Sequence, residues 1–250
     1  MKITETPLLQ EIMAGGKPCY FISPHYDDMA FSAGALATHL KPTNPIVAIN
    51  VFTKAAKRPY TLSTKAYLRQ CGYTDTEQLY ADREAEDKQA LAALADKIIN
   101  LGFTEALGRR SYGKSPRGLG KIIPELAHAY PIYRFHITKG KVARSDAHTV
   151  TELEKKLAEL IDPQAMVFCP LGVGGHIDHV ITRLACDKLF PQPIHWSDYP
   201  YNLTADSSAL TGGMQSLSFD AHRPEKTALI TAYKSQYNAI FGQGLNLTSE

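Results

Sequence analysis

The sequence lacks a strong charge imbalance. Its 250 residues include 27 Lys and Arg against 25 Asp and Glu, which gives a formal net charge of +2. A chain this close to neutral offers no general electrostatic attraction for nucleic acid or for an anionic membrane surface. Neither class of partner is therefore expected, and the function has to be inferred from a localised site.

Long apolar runs and paired cysteines are also missing. No run approaches the ~20 apolar residues of a membrane span, and residues 1–18 lack the apolar stretch of a secretory signal. No C-x-x-C pair occurs, and we interpret the scattered cysteines as structural thiols: Cys19, Cys71, Cys169 and Cys186. These absences predict a cytoplasmic protein without a membrane span, and they leave homo-oligomer formation open.

Short apolar runs alternate with amphipathic ones along most of the chain. Strands are predicted at residues 19–22, 46–52, 98–101, 166–169 and 194–196. Helices are predicted at residues 28–40, 79–95, 149–161, 177–190 and 224–237, with Thr149 or Thr151 as the N-cap of the third. This alternation predicts a single α/β domain over residues 1–250, Rossmann-like, with a mostly parallel sheet and helices on both faces.

Two regions have no clear period. Residues 54–78 are polar, basic and aromatic, which predicts a long loop with some helix. Its part at residues 54–73 fits either a lid that stacks a sugar and pairs an anionic group, or a solvated loop. In the second region a loop is predicted at 109–120, a helix at 122–130 and a strand or edge segment at 133–137. The basic residues at 109–117 are compatible with phosphate binding and with a solvated loop, and the sequence does not choose between the two.

Histidine and carboxylate residues follow two of the predicted strands. Residues 23–28 (SPHYDD) follow the first strand, and residues 172–179 (GVGGHIDH) follow the fourth. Ligands of parallel α/β sheets sit beyond the carboxyl ends of strands, and imidazole nitrogen and carboxylate oxygen are zinc ligands. Each motif alone also fits helix caps and turns, but together they favour a metal site at these strand ends.

The same residues resemble a known family. PHYDD, from Pro24 to Asp28, resembles the P/A-H-x-D-D motif of the PIG-L/LmbE-like N-acetylglucosaminyl deacetylases, and GHIDHV, from Gly175, resembles their later G-H-x-D-H-x motif. Arg83-Glu84, at the head of a predicted helix, resembles an intervening R-E signature. Lys226 with Ser235-Gln236 resembles a lysine-to-Ser-Gln helix of many members. The matches run from about residue 18 to 240, in the family's order.

The resemblance implies a zinc-dependent site. Its metal ligands would be His25, Asp28 and His179, and iron(II) shares these ligand types. Asp27 would be the general base that takes a proton from the attacking water. His176 would stabilise the oxyanion or protonate the leaving amine.

Further residues around this site have expected roles. Asp178 would orient a histidine. Arg83 is a candidate for holding the substrate, with a surface ion pair as the alternative. The chain lacks the tyrosine that some members carry before their second histidine motif, so either Tyr26 or Tyr199 would take its place or the site would have no such tyrosine. Met29 stands where many members have glutamate.

Three functions are compatible with these observations. The first is removal of an acetyl group from an N-acetylated sugar or glycoconjugate of the N-acetylglucosamine type. The second is the same zinc chemistry on a non-sugar N-acyl compound. The third is a non-catalytic α/β module that only binds a metal or ligand. A pure binding site needs no base beside its ligands, so Asp27 argues against the third.

Overall fold

The computed structural model describes residues 6–111, 122–242, 244–247 and 250, and its centre is a parallel β-sheet. Five strands pair in the order β3-β2-β1-β4-β5, and every pairing is parallel. The strands are β1 (Cys19–Ser23), β2 (Ile46–Asn50), β3 (Lys97–Asn100), β4 (Met166–Pro170) and β5 (Ile194–Trp196). All five strands that the sequence predicts are present, with bounds that differ by at most two residues.

Helices connect and cover the strands. They are α1 (Pro7–Gly15), α2 (Asp28–Leu40), α3 (Leu62–Gln70), α4 (Thr76–Leu91), α5 (Tyr133–His136), α6 (Ala147–Leu160), α7 (Ile177–Leu189), α8 (Arg223–Ala232) and α9 (Lys234–Phe241). Short 3-10 turns lie between several of them. Within the described ranges, no helix is both long and apolar enough to cross a bilayer.

Alternate residues of each strand face opposite cores. In β1, Phe21 belongs to a core shared with α1, α2, α4 and α8, whereas Ile22 belongs to a core shared with α6 and α7. In β2, Ala48 and Ile49 divide between the two cores in the same way. Strands buried on both faces read as continuous apolar runs, so the expectation of helices on both faces is confirmed.

The strand order reverses beside β1. The chain builds β1, β2 and β3 toward one edge and then returns to place β4 on the other side of β1. Loops leaving β1 and β4 therefore diverge above the sheet and open a crevice at their carboxyl ends. Both His/Asp motifs follow these two strands, so the topology brings them together.

The region without periodicity contains more helix than the sequence predicts. Residues 62–70 form α3, capped by Thr61, whose side chain accepts from the Thr64 amide. Helix α4 begins at Thr76 rather than at residue 79, capped by the Asp75 carboxylate. Arg83 therefore lies about two turns inside α4 and not at its head.

Several other element predictions are wrong. Residues 133–136 form the short helix α5 instead of a strand. Within residues 122–130 a 3-10 turn at Pro124–Ala127 and an isolated bridge from His128 to Arg110 stand in place of a continuous helix. Flanking prolines restrict both segments because they supply no amide hydrogen. Helix α6 begins at Ala147, ahead of both threonines proposed as its cap. The last predicted helix is divided at Tyr233 into α8 and α9. Residues 112–120 of the predicted loop lie outside the described residues.

Candidate metal centre

A hydrogen-bonded turn after β1 presents the first motif. The Ser23 hydroxyl donates to the His25 carbonyl at 2.6 Å and accepts from the Met29 amide at 2.9 Å. The His25 amide donates to Oδ2 of Asp28 at 2.8 Å. Asp27 occupies the N-cap position of α2 but makes no side-chain cap hydrogen bond. The turn therefore leaves the Asp27 carboxylate available for another role.

The turn after β4 depends on glycine. Gly172, Gly174 and Gly175 all have positive φ, between 66° and 84°, which side-chain-bearing residues rarely adopt. A Cβ on Gly174 would also lie 2.8 Å from the ring of Tyr201. This backbone places His176 at the N-cap of α7, so His179 lies in the first turn of that helix.

The two turns bring three potential ligands together. Oδ2 of Asp28 lies 3.0 Å from Nδ1 of His25, and Oδ1 of Asp28 lies 3.3 Å from Nε2 of His179. All three side chains are buried, and one ligand atom from each lies within 4.8 Å of the others. Donors at ~2.0–2.1 Å around a tetrahedral ion are about 3.3 Å apart, so the spacing fits a small divalent cation.

Two further carboxylates determine which nitrogen of each histidine faces the cluster. Asp178 Oδ2 lies 3.1 Å from His25 Nε2, and Asp198 Oδ1 lies 2.6 Å from His179 Nδ1. When each carboxylate accepts a hydrogen bond, the proton sits on that nitrogen and the other nitrogen keeps its lone pair. Both lone pairs then point at the Asp28 carboxylate.

Acceptors that face one another in a buried site need a cation between them. Burial opposes ionisation of Asp28, but the neighbouring His179 and His25 hold its pKa well below the ordinary range. Burial disfavours charge on His179, yet Asp28 and Asp198 raise its pKa to about 10. In the metal-free protein, protons supply that positive charge. A divalent cation would supply it in their place.

Asp178 is held by a buried arginine. Arg109 Nη1 donates to Asp178 Oδ1 at 2.7 Å, and Arg109 Nε lies 2.8 Å from Oδ2 of Asp146. The Ala106 amide also donates to Asp178 Oδ2, at 2.9 Å. Burial opposes the charge of Asp178, but Arg109 and His25 keep its pKa well below the ordinary value. Arg109, considered for phosphate binding from the sequence, is 5% exposed and pairs internally.

Asp27, Arg83 and Glu105 form a second buried group beside the histidines. Arg83 Nη2 lies 3.6 Å from Asp27 Oδ1, and Arg83 Nη1 lies 3.3 Å from Glu105 Oε2. Burial and the adjacent Asp28 raise the pKa of Asp27, against the opposing effect of Arg83. Burial raises the pKa of Glu105 to about 7. Arg83 is thus a buried partner of two carboxylates, not the surface ion pair of the alternative interpretation.

His176 faces the same cavity with a different hydrogen-bonding pattern. Its Nδ1 accepts from the Asp178 amide at 3.3 Å, which leaves the proton of the neutral ring on Nε2. Burial and the nearby His25 keep its pKa well below the ordinary value, so the ring is neutral. The sequence-based alternative of a helix cap is correct for His176, and the cap also fixes the tautomer.

The candidate tyrosines occupy two different places. Tyr199 lines the cavity beside the cluster, and its hydroxyl donates to the Asn246 carbonyl at 2.7 Å. Tyr26 packs beside Arg83 and donates to the Thr53 carbonyl, and it is not among the described residues that line the cavity. Tyr133 and Tyr201 do line it, and the Tyr201 ring centroid lies 5.6 Å from that of His179.

The cavity above the cluster has a volume of about 660 Å³. Its floor is polar, and Gln236 contributes a buried Nε2 that has no hydrogen-bond partner within the described residues. Its mouth is apolar: Ile132, Phe135 and Ile240 are 46%, 69% and 37% exposed. Large apolar side chains gathered at the edge of a cavity are typical of a binding surface.

A second ligand group shares one histidine with the first. His25, Glu105 and His176 also place ligand atoms within 4.8 Å of one another. His25 Nε2 already contacts Asp178, however, and lies 3.9 Å from the Glu105 carboxylate. The group with Asp28 and His179 therefore fits a cation better.

Sequence reasoning missed Asp198 as a histidine partner and Glu105 altogether. Asp198 lies two residues beyond β5, and Glu105 lies five residues beyond β3. Neither belongs to a dense motif. The rule that ligands bind beyond the carboxyl ends of parallel strands does indicate that Asp198 lines the pocket, and it would have drawn attention to Glu105 as well.

Comparisons with known proteins agree with this fold. The model of the PIG-L family, described as GlcNAc-PI de-N-acetylase, matches residues 20–190. A deacetylase of the teicoplanin biosynthesis pathway has a similar structure, with TM-score 0.67 and 23% identity over 90% of this chain and 87% of that chain. The zinc-inhibited form of teicoplanin deacetylase has a TM-score of 0.63 and 20% sequence identity, over 88% of this chain and 85% of that chain. A deacetylase–teicoplanin complex has a TM-score of 0.67 and 21% sequence identity, over 88% of each chain. A search of curated proteins found no match.

Proposed function

Because the chain belongs to the PIG-L family of GlcNAc-PI de-N-acetylases, we propose that it is a metal-dependent hydrolase that removes the acetyl group from an N-acetylated sugar. Family membership makes the chain an N-deacetylase. The proposed metal, residue roles and substrate rest on the geometry of the site. The observation that carries the proposal is the convergence of His25, Asp28 and His179, each buried and aligned, beside a separate carboxylate.

His25, Asp28 and His179 would hold the metal. Two imidazoles and one carboxylate leave a position open, as catalytic zinc sites do. A bound zinc or iron(II) ion would polarise the amide carbonyl and make water acidic enough to attack at neutral pH. Asp178 and Asp198 would orient the two histidine rings by accepting hydrogen bonds from the ring nitrogens that face away from the metal position.

Asp27 is the proposed general base. Its carboxylate lines the cavity next to Asp28 but bonds to neither histidine in the described structure. A base works best when its pKa approaches the working pH, and burial moves the pKa of Asp27 in that direction. Arg83 would fix the carboxylate in position and stabilise its charge.

His176 is the proposed oxyanion donor. A neutral ring with its proton on Nε2 can donate a hydrogen bond to the oxygen of the tetrahedral intermediate. Its His25 and His179 neighbours lie 5.1 and 5.3 Å away between ring centroids, so it borders the proposed metal position. A protonated ring that gives its proton to the amine fits less well, because burial and His25 oppose that charge.

The cavity wall suits a sugar that carries an apolar group. The unpartnered Gln236 Nε2 is a donor for a sugar hydroxyl or acetyl oxygen, and the Tyr67 hydroxyl donates to Gln236 Oε1 at 3.3 Å. The apolar mouth formed by Ile132, Phe135 and Ile240 would contact the aglycone. We therefore favour a glycoconjugate with an apolar aglycone over a free, fully polar sugar.

Acetate release from a matched panel tests this function. The metal-loaded protein is incubated with methyl and octyl N-acetylglucosaminides, and with N-acetylated amines of similar size. Release from both glycosides, with a lower KM for the octyl compound, is expected. Release from the amines alone would replace the proposal by the non-sugar amidase. The absence of release from every compound, with metal verifiably bound, would favour the binding module. Equal KM values for the two glycosides would refute only the role of the apolar mouth and leave the proposed reaction intact.

A further inference from the structure

A second cavity of about 430 Å³ lies outside the candidate active site. Its lining comes from the chain after β2, the chain after β3, the turn at residues 108–110 and the first turns of α6. This volume falls within the ~300–1,000 Å³ of small-molecule sites. Both segments that the sequence suggested for anion binding, 54–73 and 109–117, contribute described residues to it.

Positive charge is concentrated in this cavity. Apart from Arg109, four basic side chains line it, and Glu152 is the one acid among its described lining residues. The four are Lys54, Lys57, Arg110 and Lys156. Arg109 lines it too, but Asp146 and Asp178 balance its charge. The whole chain has a formal net charge of only +2, so this excess is local.

Two of the cations are held in place by the backbone. Arg110 Nη2 donates to the carbonyls of Lys57 and Arg58 at 3.2 and 2.8 Å. Lys156 Nζ donates to the Leu101 carbonyl at 2.9 Å. Neither is neutralised by these bonds, because carbonyl groups carry no net charge. Ordered cations cost less conformational entropy when a ligand binds.

The other two cations are exposed and unpaired. Lys54 and Lys57 form no ion pair with any residue that the structure describes. Flexible lysines beside ordered cations bind phosphate well, since each additional charge-assisted hydrogen bond strengthens the complex. A surface lysine pair alone would not make a site, but here it completes a concave cavity whose other cations are already fixed.

We propose that this cavity binds a phosphorylated small molecule through Lys54, Lys57, Arg110 and Lys156. The cavity exceeds the size of a phosphate ion, so an organic phosphate would fill it better than inorganic phosphate. The site is distinct from the deacetylase cavity, because the turn that contains Glu105 and Leu107 separates the two. Arg109 borders the phosphate site and holds Asp178, which in turn contacts His25.

Calorimetric titration of the metal-loaded protein tests the proposal. Inorganic phosphate and glycerol phosphate are titrated at constant ionic strength. The variant combines Lys54→Gln with Lys57→Gln, and the control combines Lys17→Gln with Lys155→Gln, which removes the same charge from exposed positions outside the cavity. Exposed substitutions of this kind rarely affect folding.

Saturable binding to the native protein and the control is expected, with affinity about tenfold or more lower in the cavity variant. Tighter binding of glycerol phosphate than of inorganic phosphate would support an organic phosphate as the ligand. The reverse order would contradict an organic ligand and leave a site for the free phosphate ion. Equal phosphate affinity in the variant and the control would overturn the site itself, because phosphate bound at the metal would be insensitive to these lysines. None of these outcomes depends on deacetylase activity.

Discussion

Asp27 and Asp28 are adjacent in the chain, yet the fold gives their carboxylates different surroundings. Asp28 lies between two histidine nitrogens, which stabilise its charged form. Asp27 faces Arg83 in a buried environment beside Asp28, and burial together with Asp28 raises its pKa. Environments that separate the pKa values of two neighbouring acids also separate their roles. This contrast supports Asp28 as a ligand and Asp27 as the base.

Asp27→Asn should therefore abolish proton transfer without releasing the metal. We expect kcat to fall by about 10²–10⁴-fold, with one metal per chain retained. The measurement is acetate release, with metal content determined on the same sample. Unchanged kcat would contradict the assignment of the base, and loss of metal would show that Asp27 is a ligand.

Asp198→Asn should weaken metal binding without touching a proposed ligand. The carboxylate accepts from His179 Nδ1 at 2.6 Å and so directs Nε2 toward the metal. Removal of such a partner lowers metal affinity by ~10–100-fold, measurable by competition with a chelator. Asp187→Asn is the matched control. The Asp187 carboxylate also accepts a hydrogen bond from a histidine, His195, at 2.7 Å, but it lies outside the cluster. Equal affinity in both variants would refute the orienting role.

At the scale of elements, the turn between β4 and α7 positions both His176 and His179. Gly174 and Gly213 share a φ of 79°, but they differ in their surroundings. A Cβ on Gly174 would meet Tyr201 at 2.8 Å, whereas nothing lies within 4 Å of a Cβ on Gly213. The pair thus separates the steric clash from the backbone strain that both substitutions introduce.

Gly174→Ala should destabilise the protein by about 1–3 kcal/mol more than Gly213→Ala. At roughly 2–4 °C per kcal/mol for a chain of this size, the difference is visible in thermal unfolding. The measurement is the midpoint temperature of both variants in the same buffer. A midpoint for Gly174→Ala equal to or above that of Gly213→Ala would show that Tyr201 does not restrict the turn.

The strands were predictable from sequence, whereas several helices were not. Strands buried on both faces form continuous apolar runs, so β1, β2 and β4 were recognisable. Helix α3 carries polar residues on most of its surface and depends on contacts with the rest of the chain, such as the bond from Thr64 to the Leu107 carbonyl. Contacts of this kind cannot be inferred from the local sequence pattern, although they override the local helix propensity.

The candidate site was predictable to a similar extent. Its dense motifs identified His25 and His179, because each motif is local and follows a strand. Glu105 and Asp198 stand alone in the sequence, and only the parallel sheet brings them to the cluster. Arg109 was assigned to a basic loop, since nothing local reveals that Asp146 and Asp178 bury it.

At the scale of the whole molecule, stability should depend on pH and metal together. In the metal-free fold the pKa of His179 is raised to about 10, from about 6.5 in the unfolded chain. A histidine whose pKa is higher in the folded state stabilises the protein at pH values below its unfolded pKa. This contribution is lost as the pH rises toward the folded pKa. The pKa of His25 is raised as well. A bound metal replaces both protons and removes this dependence.

The chelator-stripped protein should therefore lose several degrees of thermal stability between pH 6.5 and 9.5. The metal-loaded protein should lose less over the same range, because its cluster needs no protons. Other titrating groups, such as Glu105, are common to both samples and cancel in the comparison. Parallel pH profiles would mean that His25 and His179 are not the residues whose protons the metal displaces.

Metal titration of the stripped protein tests the central claim most directly. Zinc is added in steps while acetate release from an N-acetylglucosaminide is followed. Activity should be absent without metal and should rise linearly to one zinc per chain. His179→Ala should show no such rise at the same zinc concentrations. Full activity in the stripped protein, or an undiminished rise in His179→Ala, would contradict a catalytic metal at this cluster.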